Sequence, residues 1–343
     1  MLAAKRRNEL SCRSLTVAAV GDIMLGTDFP ENHLPDDDGI GFLRHVTPTL
    51  KAADIAVGNL EGVLQDGGEP VKKCNNPDAC YLFRSPTRYA GYLASAGFDI
   101  MSLANNHARD FGEPGRSSSM TALDRVGILH SGRVGDVAKW IHDGLNVAFI
   151  AFAPFKNSYS MLDIDAAAAE VRRLATEHDI VLASFHGGAE GADADRVPFT
   201  TERYYGEDRG DVVMFSRALV DAGADFVIGH GPHVPRAIEV YRERLIAYSL
   251  GNFANYYGIS VAGKKGWAPI LKARIDGTGR FLSGNIVSAI QLRPDGPSID
   301  PRQRAAQRIR ELTALDFPNG DVVFDDAGGF TFRGRAQNFC AAD

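Results

Sequence analysis

The chain has 343 residues, enough for one large domain or a domain with elaborations, and enough to bury a sizeable core. It is 45% hydrophobic and 23% charged with a formal net charge of −6, which speaks against a nucleic acid or a membrane surface as partner, since both select basic faces. No apolar run reaches the ~18 residues a bilayer span requires.

The basic start at residues 1–9 has no apolar segment after it, so no signal peptide is expected and the reading is a soluble, cytoplasmic protein. Cys74 and Cys80 lack the spacing and partner pair of a zinc ribbon. With Cys12 and Cys340 they are expected as free thiols in a reducing compartment, whereas Cys74 and Cys80 could close a small disulfide loop if the chain is exported.

In chain order, the apolar run 15–20 predicts a first strand. It leads into Gly21-Asp22-Ile23-Met24-Leu25-Gly26, where Asp22 reads as a metal ligand at the sheet's rim or as a turn-capping aspartate. Residues 42–53 predict a helix, with Pro48 marking a start within it. A second strand, 54–57, ends in Gly58-Asn59-Leu60-Glu61-Gly62, again a carboxylate just past an apolar run. After a polar excursion at 64–85 and a helix at 86–97, the third strand, 98–103, opens into Ala104-Asn105-Asn106-His107, with Asp110 close behind. The run Ala96-Gly97-Phe98-Asp99 before that strand is echoed by Ala222-Gly223-Ala224-Asp225. Two related units delivering histidines to one rim would explain the echo, and so would a common helix-to-strand connection.

A helix at 113–127, strands at 128–130 and 145–151 and a helix at 166–177 precede a strand at 180–185 that ends in His186-Gly187-Gly188. His130 and His142 lie away from these strand ends and read as surface or packing residues. Residues 189–210, with Arg196, Arg203, Tyr204 and Arg209, read as a substrate-contacting lid or as a solvated loop. A helix at 211–223 and a strand at 225–228 then break into Gly229-His230-Gly231-Pro232-His233, the kind of strand end where open α/β folds bind ligands. Strands at 237–241, 245–249, 269–275 and 281–291, with hairpin turns at 242–244 and 276–279, imply a second, partly antiparallel sheet. Residues 293–343, with a basic helix near 302–314, are expected as an appendage packed on a domain spanning 15–292.

Asp22, Asn59, Glu61, Asn106, His107, His186, His230 and His233 thus all follow short apolar strands. Carboxylate, amide oxygen and imidazole without thiolate suit Mn, Fe or Zn. Their number exceeds one tetrahedral ion, and two ions about 3.5–4 Å apart would use them. Such a site supports water activation and polarisation of an electrophile. No nucleophile elbow, Walker loop or dinucleotide fingerprint competes with it.

Together with Tyr248-Ser249-Leu250-Gly251-Asn252-Phe253, these six ordered motifs resemble the CapA/PgsA poly-γ-glutamate capsule biosynthesis family, within the calcineurin-like metallophosphoesterase superfamily. The resemblance implies an α/β fold, a four-layer α-β-β-α sandwich of two mixed sheets flanked by helices. It implies Asp22, Glu61, Asn106, His186, His230 and His233 as ligands, with Glu61 or Asn59 substituting for the superfamily's bridging aspartate. His107 resembles the superfamily histidine that assists the leaving group, with Asp110 beside it. The superfamily's first motif usually carries a histidine where this chain has Met24, and its final histidine pair is closer than His230 and His233.

Arg196, Arg203, Arg209, Tyr204 and Asn252 are the expected substrate contacts, guanidinium forks being suited to carboxylate and phosphate. Two functional classes follow. One is a metal-dependent hydrolase or transferase acting on a phosphate ester, acyl phosphate or γ-glutamyl amide. The other is a non-catalytic subunit of a polyglutamate-synthesising complex, binding acidic polymer or biosynthetic partner proteins.

Overall fold

A computed structural model describes residues 9–71 and 81–333. Two sheets dominate it. In the first, the parallel strands Ser14–Met24, Ile55–Leu60, Ile100–Ser102 and Leu129–Ser131 lie in that order. Ser14–Met24 pairs antiparallel on its other side with Trp267–Asp276, which is followed outward by Phe281–Leu292. In the second, Leu145–Ala153, Ile180–His186, Phe226–His230 and Arg244–Ala247 run parallel, with antiparallel edges at Ala138–His142 and Ile238–Tyr241.

Alternation of side chains along each strand gives three cores. Leu15, Val17, Ala19 and Val57 of the first sheet meet Val147, Phe149, Leu182 and Ile228 of the second in a core between the sheets. The other faces are covered by helices. Leu50, Leu93 and Leu123, from helices Thr47–Lys51, Tyr89–Ala96 and Gly112–Asp124, pack on the first sheet. Val171, Leu174, Phe215 and Leu219, from Ile164–Glu177 and Val212–Ala222, pack on the second. The result is helix, sheet, sheet, helix, the four-layer sandwich expected.

One device sets strand register in both sheets. Asp54, Asp99, Asp179 and Asp225 each stand just before a parallel strand. Their carboxylates accept the N–H of Thr16, Ala56, Asn146 and Val181 on the neighbouring strand, at 2.8, 2.8, 3.0 and 2.8 Å. Gly97 and Gly223 end the preceding helices in the left-handed conformation that glycine adopts freely. The repeated Ala-Gly-x-Asp run therefore has the same work in both sheets: it pins one end of the strand while the other end carries a rim residue.

Several expectations need correction. The helix read at 42–53 is helical only over Thr47–Lys51, because Pro48 fits a first helical turn and cannot sit inside a longer helix. The first strand continues to Met24, so Asp22 lies within it and pairs with Asn252 of the short strand Asn252–Asn255. Beyond 292, Gly296–Ile299 and Gly329–Phe332 pair with Phe281–Leu292, and helix Arg304–Asp316 sends Ala306 and Ile309 into the core between the sheets. Cys12 is disulfide-bonded rather than a free thiol, a state typical of oxidising compartments. Cys74, Cys80 and Cys340 lie outside the described residues. Among the described residues no helix is long and apolar enough to cross a membrane.

Candidate metal centre

Both sheets present their carboxyl-terminal strand ends to one place, and glycines let the backbones close in there. A Cβ on Gly21 would fall 2.0 Å from the Gly251 carbonyl oxygen, and one on Gly229 would fall 2.5 Å from that of Tyr248. Only glycine permits such an approach. Asp22 and Glu61 come from the first sheet, and His186, His230 and His233 from the second. Asp22, Glu61, His186 and His230 are all 0% exposed.

Asp22, Glu61 and His233 each place one ligand atom within 4.8 Å of the others. His233 Nδ1 lies 2.9 Å from Asp22 Oδ2 and 3.0 Å from Asn252 Oδ1, and its Nε2 lies 3.6 Å from both Glu61 Oε1 and Glu190 Oε2. His230 Nδ1 is 3.5 Å from Asp22 Oδ1. His233 is held at φ +60°, a strained conformation for a residue with a Cβ that tends to mark functional sites. Burial opposes the charge on His233, but Glu61, Asp22 and Glu190 outweigh it and push its pKa up to about 10. For Asp22, burial acts upward, while hydrogen bonds from His230 and His233 hold the carboxyl well below the usual range. Burial keeps the His186 imidazole neutral, far below its ordinary value.

The side chains at this rim fit a divalent cation. His186 Nε2, His230 Nε2 and Asn106 Oδ1 are buried without a hydrogen bond. An unmade buried bond costs about 1–3 kcal/mol, and a cation bound by these atoms would remove that cost. The donor set is oxygen and imidazole nitrogen, which suits Mn, Fe or Zn.

Asn59 lies between the two sheets' candidate ligands. Its Nδ2 donates to Asp22 Oδ1 at 2.9 Å and faces His186 Nδ1 at 3.4 Å, while its Oδ1 accepts from Asn105 Nδ2 at 3.0 Å. It therefore orients ligand candidates from both sheets, with its amide engaged at each end. Asn105, overlooked in the sequence beside Asn106, also donates to the Leu60 carbonyl at 2.8 Å and accepts the His107 N–H at 3.0 Å. His107 is 6% exposed, with Nδ1 2.7 Å from Asp110 Oδ2. That oxygen also accepts the Phe83 N–H at 2.9 Å, and an ionised Asp110 favours a proton on His107 Nδ1.

Residues 189–210 are fastened rather than lid-like. Strands Glu202–Tyr204 and Glu207–Gly210 form a hairpin. Arg236 holds Glu202 at 2.8 and 2.7 Å and donates to the carbonyls of Ala194 and Ala189 at 2.7 and 3.4 Å. Arg209, buried, pairs with Glu190 at 2.9 Å and lies over Phe155 and Tyr204, 5.1 and 5.5 Å from their ring centroids. It thus borders the centre through Glu190. Burial and the Glu190 charge raise the Tyr204 hydroxyl to about 12. Arg196 instead pairs with Asp316 at 2.5 Å, on the carboxyl-terminal helix. Arg203 is exposed on the hairpin, and Asn252 positions His233. Glu190 was missed, although its place four residues after His186 was a usable signal.

A four-layer sandwich with carboxylates and imidazoles converging from both sheets defines an α/β protein with a rim-type candidate metal site. Residues 16–257 match the family model described as "Bacterial capsule synthesis protein PGA_cap", and the chain belongs to that family. It is 30% identical over 259 residues to the capsule biosynthesis protein CapA of Bacillus anthracis, covering 72% of this chain and 60% of the relative. It is 28% identical over 350 residues to the PGA biosynthesis protein CapA of Bacillus subtilis, covering 91% of this chain and 82% of the relative. Among solved structures, a 5'-nucleotidase precursor of Thermus thermophilus aligns with a TM-score of 0.42 at 13% identity, over 88% of this chain and 58% of the other. At that level of likeness it bears on neither activity nor substrate.

Proposed function

We propose that this chain is a divalent-metal-dependent hydrolase or transferase of capsule-polymer biosynthesis, acting on a phosphate ester, acyl phosphate or γ-glutamyl amide. The relatives named for capsule and PGA biosynthesis favour the amide. The observation that carries the reading is the convergence of Asp22, Glu61 and His233 within 4.8 Å. The buried, unbonded nitrogens of His186 and His230 support it.

Asp22, Glu61, Asn106, His186, His230 and His233 would hold up to two ions of the Mn, Fe or Zn kind. Bound there, such ions supply a nucleophilic water near neutral pH and polarise the group under attack. Asn59 keeps Asp22 and His186 in register. Held by Asp110 through Nδ1, His107 in its protonated form would give a proton to a leaving nitrogen or oxygen. The Arg209–Glu190 pair sets the charge at the edge of the site.

The test is elemental analysis and metal titration of the purified chain. Stoichiometric uptake that is lost in His230→Ala supports the reading. A well-folded wild type that takes up none of Mn, Fe or Zn refutes it.

A further inference from the structure

A cavity of about 600 Å³ lies beside the candidate centre, walled in part by Phe29, His33, Tyr81, Phe83 and Tyr257, with Arg293 among its lining residues. Two of its walls are bonded to the centre. The Phe83 N–H donates to the Asp110 oxygen that holds His107, and the Phe83 ring centroid is 4.3 Å from that of His107. On another side, Asn252 Nδ2 donates to the carbonyl of Ser260, a lining residue, at 3.2 Å, while Asn252 Oδ1 meets His233.

The walls have a definite chemistry. His33 lies flat on Tyr257, with centroids 3.7 Å apart and planes 10° from parallel, and Tyr257 leaves 42% of its surface exposed. That makes a planar platform suited to a flat amide or acyl group. Arg293 is solvent-accessible but held in place, since Nε donates to the Asn255 carbonyl at 3.1 Å and Nη2 donates to that of Ile259. The ionisable groups acting on it are Tyr256 and Tyr257, and no carboxylate among the described residues pairs with it. The acid at the cavity mouth, Glu31, is 82% exposed and reaches His33 instead, at 3.8 Å. A fixed arginine fork beside the centre, with no carboxylate partner among the described residues, is suited to a carboxylate ligand.

We propose that this cavity is a subsite for a carboxylate-bearing amide segment, with one pendant carboxylate on Arg293 and an amide plane against the Tyr257–His33 platform. That the segment is then processed at the neighbouring centre rests on the hydrolase reading; its binding does not.

The experiment measures binding of a labelled γ-linked glutamyl pentamer and of its α-methyl ester to the full chain, with and without chelator. The acid binds at least about tenfold tighter than the ester, the scale of one charge-assisted hydrogen bond. Arg293→Gln erases that preference, and Tyr257→Ala weakens both ligands. Equal binding of acid and ester to wild type overturns the proposal, and so does a preference that survives Arg293→Gln. Because Arg293 also ties down two carbonyls, the wild-type comparison decides the matter even if the variant does not fold. Failure of the metal reading appears in metal content and leaves this binding difference intact.

Discussion

Arg236 and Glu202 form a two-pronged ion pair inside the protein, with side chains 0% and 6% exposed. The same guanidinium reaches carbonyls on both sides of Glu190, so its loss would strand a buried carboxylate and loosen the segment bordering the centre. Arg236→Ala should cost about 3–5 kcal/mol, the scale for breaking a buried pair. Arg236→Met combined with Glu202→Leu should recover most of it. Urea denaturation of the three proteins checks this.

Asn59 is engaged by Asp22, His186 and Asn105, and as an orienting residue its replacement should weaken metal binding rather than abolish it. Asn59→Ala should lower affinity by about 10–100-fold, as outer partners of metal ligands typically do. His230→Ala should lose stoichiometric binding. Calorimetric titration with Zn or Mn separates the two, and unchanged affinity in Asn59→Ala would remove its supporting role.

His107 should behave as a proton donor and not as a ligand. His107→Ala is expected to keep its metal while losing about 10²–10⁴ in turnover on substrates with poor leaving groups. Activated substrates should be affected far less. If His107 only pins its loop through Asp110, melting falls and every substrate suffers equally.

Much of this was legible because local chemistry and fold agree at the rims: Asp22, Glu61, His186 and His230 each follow a run of apolar residues that could only be a buried strand. The alternation of helices with those strands pointed to an α/β fold, and the four-layer order was what the resemblance to the capsule family implied. What stayed hidden depends on partners far along the chain. Arg196 has its partner, Asp316, 120 residues away, which no local pattern reveals. Residues 189–210 looked loose because the anchors of Glu202 and Asp195, on Arg236, Lys264 and Arg308, arrive later in sequence. Asn59 and Asn106 look alike in sequence, and only the hydrogen bonds around Asn59 mark it as the orienting one.

His130, read as a surface or packing residue, predicts a pH effect. It lies between Asp136 at 3.0 Å and Asp124 at 3.2 Å. Burial disfavours its charge, yet the two aspartates outweigh burial and raise its pKa above the ordinary 6.5. The imidazolium pairs therefore add stability that is fully present below pH 6.5 and is lost as pH rises through the folded-state value. His130→Gln should lower Tm at about pH 6 and have little effect at about pH 9, which thermal melts at both values check. Equal losses at both would point to packing alone.

Asp22 and Glu61 belong to one sheet and His186, His230 and His233 to the other, so a shared ion would act as a clasp across the two halves of the molecule. Neither half could hold it alone, and the unfolded chain could not hold it at all. Free ion at about 100 times its dissociation constant would then add about 2.7 kcal/mol to folding. The working lifetime of the protein would then follow the supply of metal.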